Sequence, residues 1–407
     1  MTTFAREHLL DLARPRDGWC VSIYISTHRA ASDILNNQVA LKNLLDAARD
    51  ELAELLAENT NGATTARSHL AHSPAMRRRN KNELAARAFV QPALDAAASP
   101  NFWDGRQDGL ALFIYDGVFR HHWLPYPTES LMVVSNRHHI TPLVPLLTDD
   151  ARFLVLALSQ NDVRLWEGDR DGIAEVHVEG MPRSLADALR LEAPEKQRLV
   201  RSAGIGPTGT PIGIRYGHRE DERGRTHRFL QEVEHRLRPM LNDETAPLIL
   251  TGVDYLVAMY REVNTYAHLH AQAIRGNPES LTLDQLHQAA WQIVQCTLDE
   301  AKAKAVGAYR AAKEVHGAKR ASEDTSVVLQ AAHAGRVDTL FVDPARHCWG
   351  SYDVVTNQMI ARPERERGDA DLFDLAVAQT LAHGGTVYAL PASQMPSSSG
   401  LAATFRY

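Results

Sequence analysis

The chain has 407 residues, 44% hydrophobic and 23% charged, with a formal net charge of −6. That length supports two or three separate cores, and the composition is that of an ordinary globular protein rather than a disordered or fibrous one. The acidic balance excludes a simple electrostatic nucleic-acid binder, which needs a surplus of Lys and Arg, so no DNA partner is expected. No apolar run approaches a bilayer span, and MTTFAREHLLDLARP carries charges where a signal peptide has its apolar core. A cytoplasmic protein without a membrane partner is expected. Cys20, Cys296 and Cys348 are scattered, form no CxxC pair and suit a reducing compartment.

In chain order, VSIYIST at 21–27 alternates as a half-buried strand does, and a helix follows over about 34–56, with Leu35, Val39, Leu41, Leu44, Leu45, Leu52 and Leu55 near helical spacing. Residues 59–81 are polar and end in MRRRNK, where Arg77, Arg78, Arg79 and Lys81 form either an RNA contact or a solvated helix start. GLALFIYD and LMVVSN read as strands joined by turn and aromatic residues, and 141–147, with two prolines, reads as a domain joint. FLVLALS is a fully apolar strand, and VRLWEGDRDGIAEVHVEG is a hairpin about GDRDG. The glycine-rich stretch 196–217 reads as a loop, followed by a helix over 223–241. PLILTGVDYLVAMY supplies a strand, a Gly turn and a helix, and a long helix runs from 283 towards 315. Between 196 and 238 lie ten Lys/Arg against five Asp/Glu, so any RNA contact is expected there. The alternation of strands and helices makes the whole chain α/β.

The last 25 residues, HGGTVYALPASQMPSSSGLAATFRY, follow a helix over 371–382. His383, Gly384 and Gly385 read as its C-cap, with a strand at 386–390 and a final strand at 401–407. This ordering resembles the C-terminal domain of archaeal and eukaryotic class-1 release factors and Pelota. AGRVDTLFV at 334–342 resembles the same domain's helix followed by a buried strand. VPLLTDDARFLVLALSQNDVRLWEGDRDGIAEVHVEGMP resembles the entry into the middle domain of release factors, and PLILTGVDYL its later strand and Gly turn. The chain as a whole resembles a bacterial member of the archaeo-eukaryotic release factor superfamily. The resemblance implies three domains: 1–147, N-terminal α/β; 148–282, ribonuclease-H-like with a basic Gly-rich loop at 196–222; and 283–407, a small α/β sandwich like kink-turn RNA-binding ribosomal proteins. It also implies the ribosome as partner, through ribosomal RNA and tRNA, and a translational GTPase.

One departure bears on mechanism. Release factors hydrolyse peptidyl-tRNA with a Gly-Gly-Gln tripeptide that positions a water, and this sequence contains none. The matching place reads Arg215, Tyr216, Gly217, His218, Arg219, Glu220. Binding without hydrolysis is therefore expected, with Arg215, Arg219, Arg223, Arg225 and Arg228 on phosphates and Tyr216 and Gly217 in the same loop. His218 is the one weak catalytic candidate, as a general base. The resemblance thus implies A-site binding in stalling, rescue or hibernation. The alternatives are a peptidyl-tRNA hydrolase with a variant Tyr-Gly-His loop and a stress-related scaffold outside translation.

Other motifs carry less. The pairs His121/His122 and His138/His139 would each offer one ligand to a strand face, no Cys or carboxylate spacing completes a site, and no metal is expected. GIGPTG lacks the Lys-Ser/Thr ending of a P-loop, and no cofactor is expected. The charged run 362–371 reads as an exposed loop.

Overall fold

The computed structural model describes residues 6–28, 34–61, 72–105, 107–148, 152–188 and 218–407. The chain divides into two compact units, Met1–Thr148 with Ala301–Tyr407, and Asp149–Glu300. Both mix helices and strands, the α/β class expected from the sequence.

The N-terminal part of the first unit contains α1 (Arg6–Ala13), β1 (Cys20–Ser26), α2 (Ile34–Asn61), α3 (His72–Ala98), β2 (Gly109–Tyr115), β3 (Val118–Leu124), β4 (Leu131–Ser135) and α4 (Pro145–Thr148). The strands form an antiparallel sheet in the order β3-β2-β1-β4, with Ile23 opposite Leu112 and Met132. β3 occupies the stretch that the sequence reads as a connection. Asp116 and Gly117 both take positive φ, 47° and 73°, the two-residue turn whose twist matches a hairpin, so the aromatic residues after it form a strand.

β1 is buried on both faces rather than one. Val21, Ile23 and Ile25 pack beneath α2 and α3, while Tyr24 joins Leu9, Leu12 and the C-terminal part of the unit on the opposite face. In α2 the buried apolar residues are Leu41, Leu45, Ala48, Leu52 and Leu55, alternately four and three apart, whereas Leu35 and Val39 are 70% and 53% exposed. The helix face is therefore narrower than the leucine content suggests. α3 matches it with Ala86, Val90, Ala93 and Ala97, small residues that let the two helices share one apolar layer. It begins inside the polar stretch and extends past it to Ala98, because propensity and one apolar stripe outweigh overall polarity.

The second unit contains β5 (Phe153–Leu158), β6 (Arg164–Gly168), β7 (Ile173–Val176), α5 (His218–Leu241), β8 (Leu248–Gly252), α6 (Asp254–Val263) and β9 (Leu269–Arg275), and α7 (Leu283–His316) begins in it. The sheet order is β7-β6-β5-β8-β9, with β6 antiparallel and β8 parallel to β5, and β9 parallel to β8. The sheet is therefore mixed, antiparallel on one side of β5 and parallel on the other. β5 is apolar throughout because both its faces are covered. Leu154, Leu156 and Leu158 meet Phe229, Leu230 and Val233 of α5, and Phe153, Val155 and Ala157 meet Leu286, Ala290 and Val294 of α7. The β6–β7 turn is closed by Asp169, whose Oδ1 accepts the N–H groups of Asp171 and Gly172 at 2.9 and 3.0 Å.

The C-terminal part of the first unit contains β10 (Ala321–Ser322), α8 (Thr325–His333), β11 (Val337–Val342), β12 (Trp349–Asp353), β13 (Gln358–Arg362), β14 (Ala370–Asp371), α9 (Leu372–Ala382), β15 (Thr386–Ala389) and β16 (Leu401–Phe405). One sheet runs β10-β16-β11-β15, and a smaller one β13-β12-β14. Leu340 and Val342 face α8 and α9, while Phe341 faces Tyr309 of α7, so helices cover both sides of a small sandwich. α9 ends as expected: Gly384 has φ 75°, Gly385 N–H donates to Thr380 at 2.8 Å, and Gly384 N–H donates to Leu381 at 3.1 Å. These are the two bonds of a Schellman cap. No helix among the described residues is long and apolar enough to cross a membrane.

Candidate functional site

α5 carries the described part of the basic segment. Arg215, Tyr216 and Gly217 lie outside the described residues; His218 and Arg219 open the helix, with side chains described from Arg223 onward. Thr226, Phe229, Leu230, Val233 and Leu237 are buried, and Thr226 Oγ1 receives Gln160 Nε2 at 3.5 Å, which seats the first turns on the loop after β5. Arg223 and Arg228 are exposed and Arg225 is half-buried. Arg228 Nε points back to the Gly224 carbonyl at 3.4 Å. Further along, Arg236 pairs with Glu232 at 2.7 Å and Arg238 with Glu234 at 2.9 Å. Arg77, Arg78 and Arg79 lie in α3, with side chains outside the described ones.

A second constellation lies within the first unit, where the segment after β4 meets the start of α9. Asp371 caps α9: its Oδ1 accepts the N–H groups of Phe373 at 2.9 Å and Cys348 at 3.1 Å, and its Oδ2 lies 2.8 Å from His347 Nδ1. One turn on, Asp374 Oδ1 accepts from Ile140 N–H at 2.7 Å and from Thr141 N–H and hydroxyl, both at 2.8 Å. His139 Nδ1 stands 3.5 Å from the same oxygen, and Arg137 Nη2 lies 3.7 Å from Asp374 Oδ2. Tyr24 donates its hydroxyl proton to the His139 carbonyl at 2.6 Å, and His139 N–H donates to Ser22 Oγ at 3.0 Å.

Burial sets the electrostatics of this cluster. It pushes the pKa of His139 down, and that of His138 to about 4, helped by Arg16. It opposes the charge on His347 as well, but the hydrogen bond and charge of Asp371 outweigh it and raise that pKa. For Asp374, burial acts upward, while His139, Arg137 and the donors from Ile140 and Thr141 prevail and hold the carboxyl below its ordinary range.

Among the described residues, His139, His347 and Asp371 bring one possible ligand atom each within 4.8 Å of one another, and they are the group that could hold a metal ion. Sequence reasoning passed over this trio because its members belong to three separate segments. The one local signal was the Asp371 cap. His138 and His139 follow β4 rather than lying on a strand, so strand alternation does not govern them. His121 and His122 do lie on β3, where His121 stacks on Phe119 at 5.7 Å and His122 approaches Phe113 at 6.1 Å. The run 362–371 is not simply an exposed loop. Arg362 Nη1 binds Asp369 at 2.5 Å, and Arg365 makes a two-point contact with Glu51 of α2 at 2.7 and 3.1 Å while lying 5.4 Å over the Trp349 ring.

The two units, one with a five-stranded mixed sheet and the other with two four-stranded sheets and one three-stranded sheet, make this an α/β protein with several sheets. Residues 152–336 match the family model of bacterial archaeo-eukaryotic release factor family 3, and the resemblance read from the sequence holds. Among solved structures, the chain is similar to the archaeal translation termination factor aRF1, at 13% identity over 99% of both chains with a TM-score of 0.24. It is similar to S. cerevisiae Dom34, a translation termination-like factor involved in RNA quality control that interacts with Hbs1, at 10% identity over 74% of this chain and 79% of that one (TM-score 0.38). It is also similar to a chain in a model of ribosome-bound archaeal Pelota and ABCE1, at 12% identity over 100% and 94% (TM-score 0.37). No curated protein matches the chain.

Proposed function

We propose that this chain is a ribosome-associated, release-factor-like protein that enters the A site in stalling, rescue or hibernation and does not hydrolyse peptidyl-tRNA. The observation that carries this reading is the family match over 152–336 in a sequence that has Tyr216, Gly217, His218 in place of Gly-Gly-Gln. Without that tripeptide, the backbone and side-chain positioning of water is lost while the means of binding stay. Arg223, Arg225 and Arg228 at the head of α5, with Arg215 and Arg219 before them, contact ribosomal RNA or tRNA phosphates, and Arg77, Arg78 and Arg79 make a second contact. In the three-domain reading, 1–147, 148–282 and 283–407, the main RNA contact belongs to the middle domain, the second to the first, and a translational GTPase would meet the last.

Sedimentation of the purified chain with 70S ribosomes tests this. Wild-type protein is expected in the ribosome peak, and the Arg223→Glu/Arg225→Glu/Arg228→Glu variant at the top of the gradient. Wild-type protein that stays at the top across low and moderate salt would overturn the reading. A release assay on ribosome-bound peptidyl-tRNA separates binding from catalysis: release that disappears in His218→Ala would make the chain a hydrolase instead.

A further inference from the structure

We propose that His139, His347 and Asp371 form a binding site for a divalent transition metal ion, with Zn2+ the best match. This inference is independent of any role on the ribosome. Two imidazoles and a carboxylate, with one ligand atom of each within 4.8 Å of the others, are a donor set that Zn2+ takes in tetrahedral coordination, leaving a fourth position for water.

His139 supplies a second, separate observation. It is 2% exposed, and its Nε2 is buried with no hydrogen-bond partner among the described residues. Nδ1 lies beside the Asp374 carboxylate at 3.5 Å. A carboxylate there favours the tautomer with the proton on Nδ1, which leaves the Nε2 lone pair for a metal. Asp374 is suited to this outer role because Ile140 and Thr141 already fix its position.

The other two ligands are held as firmly. Asp371 is oriented by the N–H groups of Cys348 and Phe373, and His347 lies against it at 2.8 Å. Two ligands on a tetrahedral ion with bonds of about 2.0–2.1 Å sit roughly 3.3 Å apart, so this contact opens by about half an ångström as the metal takes the place of the intervening hydrogen. The His347 side chain is 19% exposed, which provides an entry path and room for water.

The test uses the full chain, stripped with a chelator and then titrated with Zn2+ by calorimetry and with Co2+ by visible absorption. One equivalent is expected to bind, with a Kd below about 1 μM, and Co2+ should give the strong d–d bands of four-coordination. His347→Ala, at the partly exposed position, is the main variant because removing the buried His139 ring risks the fold. It should weaken binding by more than the about 10–100-fold that an outer-shell partner contributes, with an unchanged circular dichroism spectrum. No stoichiometric binding by the wild-type chain would overturn the proposal, as would binding that His347→Ala leaves intact.

Discussion

Asp374 accepts two hydrogen bonds from Thr141, one from the backbone N–H and one from the hydroxyl, both at 2.8 Å and across 233 residues of sequence. The carboxylate is 2% exposed and lies near the buried Arg137. Asp374→Ala takes the charge from beside that guanidinium and leaves three donors unmatched. It is expected to cost about 3–5 kcal/mol, and Thr141→Val about 1.5–3 kcal/mol, in urea unfolding at neutral pH. An Asp374→Ala protein as stable as the wild type would show that the latch contributes nothing.

Two ion pairs join the run after β13 to α2, and their burial differs. Arg365 and Glu51 have side chains 19% and 10% exposed, whereas Arg367 and Glu54, at 2.6 Å, are 58% and 50% exposed. A double-mutant cycle should give a coupling of about 1.5–3 kcal/mol for the two-point Arg365–Glu51 pair and about 0.2–1 kcal/mol for the solvent-screened one. Equal couplings would mean that burial does not separate them.

The cysteines should differ in reactivity. Burial, partly opposed by Arg16, pushes the Cys20 thiol up to about 12, and burial followed by Asp371 raises Cys348. Cys296 is exposed on α7. Since the thiolate is the nucleophile, a disulfide reagent at neutral pH should modify Cys296 first and reach Cys20 only on denaturation. Modification of Cys20 in native protein, read by peptide mass mapping, would contradict this burial.

His122 provides a pH signature. Burial, followed by the charges of His121, His8 and Arg120, lowers its pKa to about 4. The folded value lies below the unfolded one of about 6.5, so its contribution to stability is complete above about pH 6.5 and is lost as the pH falls towards 4. An NMR titration should find the ring still neutral at about pH 5; a midpoint near the unfolded value would refute the assignment.

Much of the fold was legible because its signals are local. The strand FLVLALS, the Asp169 turn, the α9 cap at Gly384 and Gly385, and the final strand all depend on residues within a few positions of one another. β3 and the course of α3 beyond its polar start leave no clear local signal, for different reasons. The twist set by Asp116 and Gly117 makes a strand of an aromatic stretch without clean alternation, and the α3 stripe consists largely of alanine, a weak hydrophobic signal. Leu35 and Val39 misled because an apolar residue at helical spacing is buried only where a partner exists.

The candidate sites divide in the same way. By itself the sequence determined the α/β class, the release-factor resemblance, the absence of Gly-Gly-Gln and the basic run that places Arg223, Arg225 and Arg228 at the head of one helix. Chain order and composition suffice for these. Only the tertiary structure decided that His139, His347 and Asp371 bring their ligand atoms within 4.8 Å of one another, and that Asp374 is satisfied by a segment far away in the chain. A buried polar group must find partners wherever packing brings them, and packing between distant segments leaves no periodicity in the sequence to read.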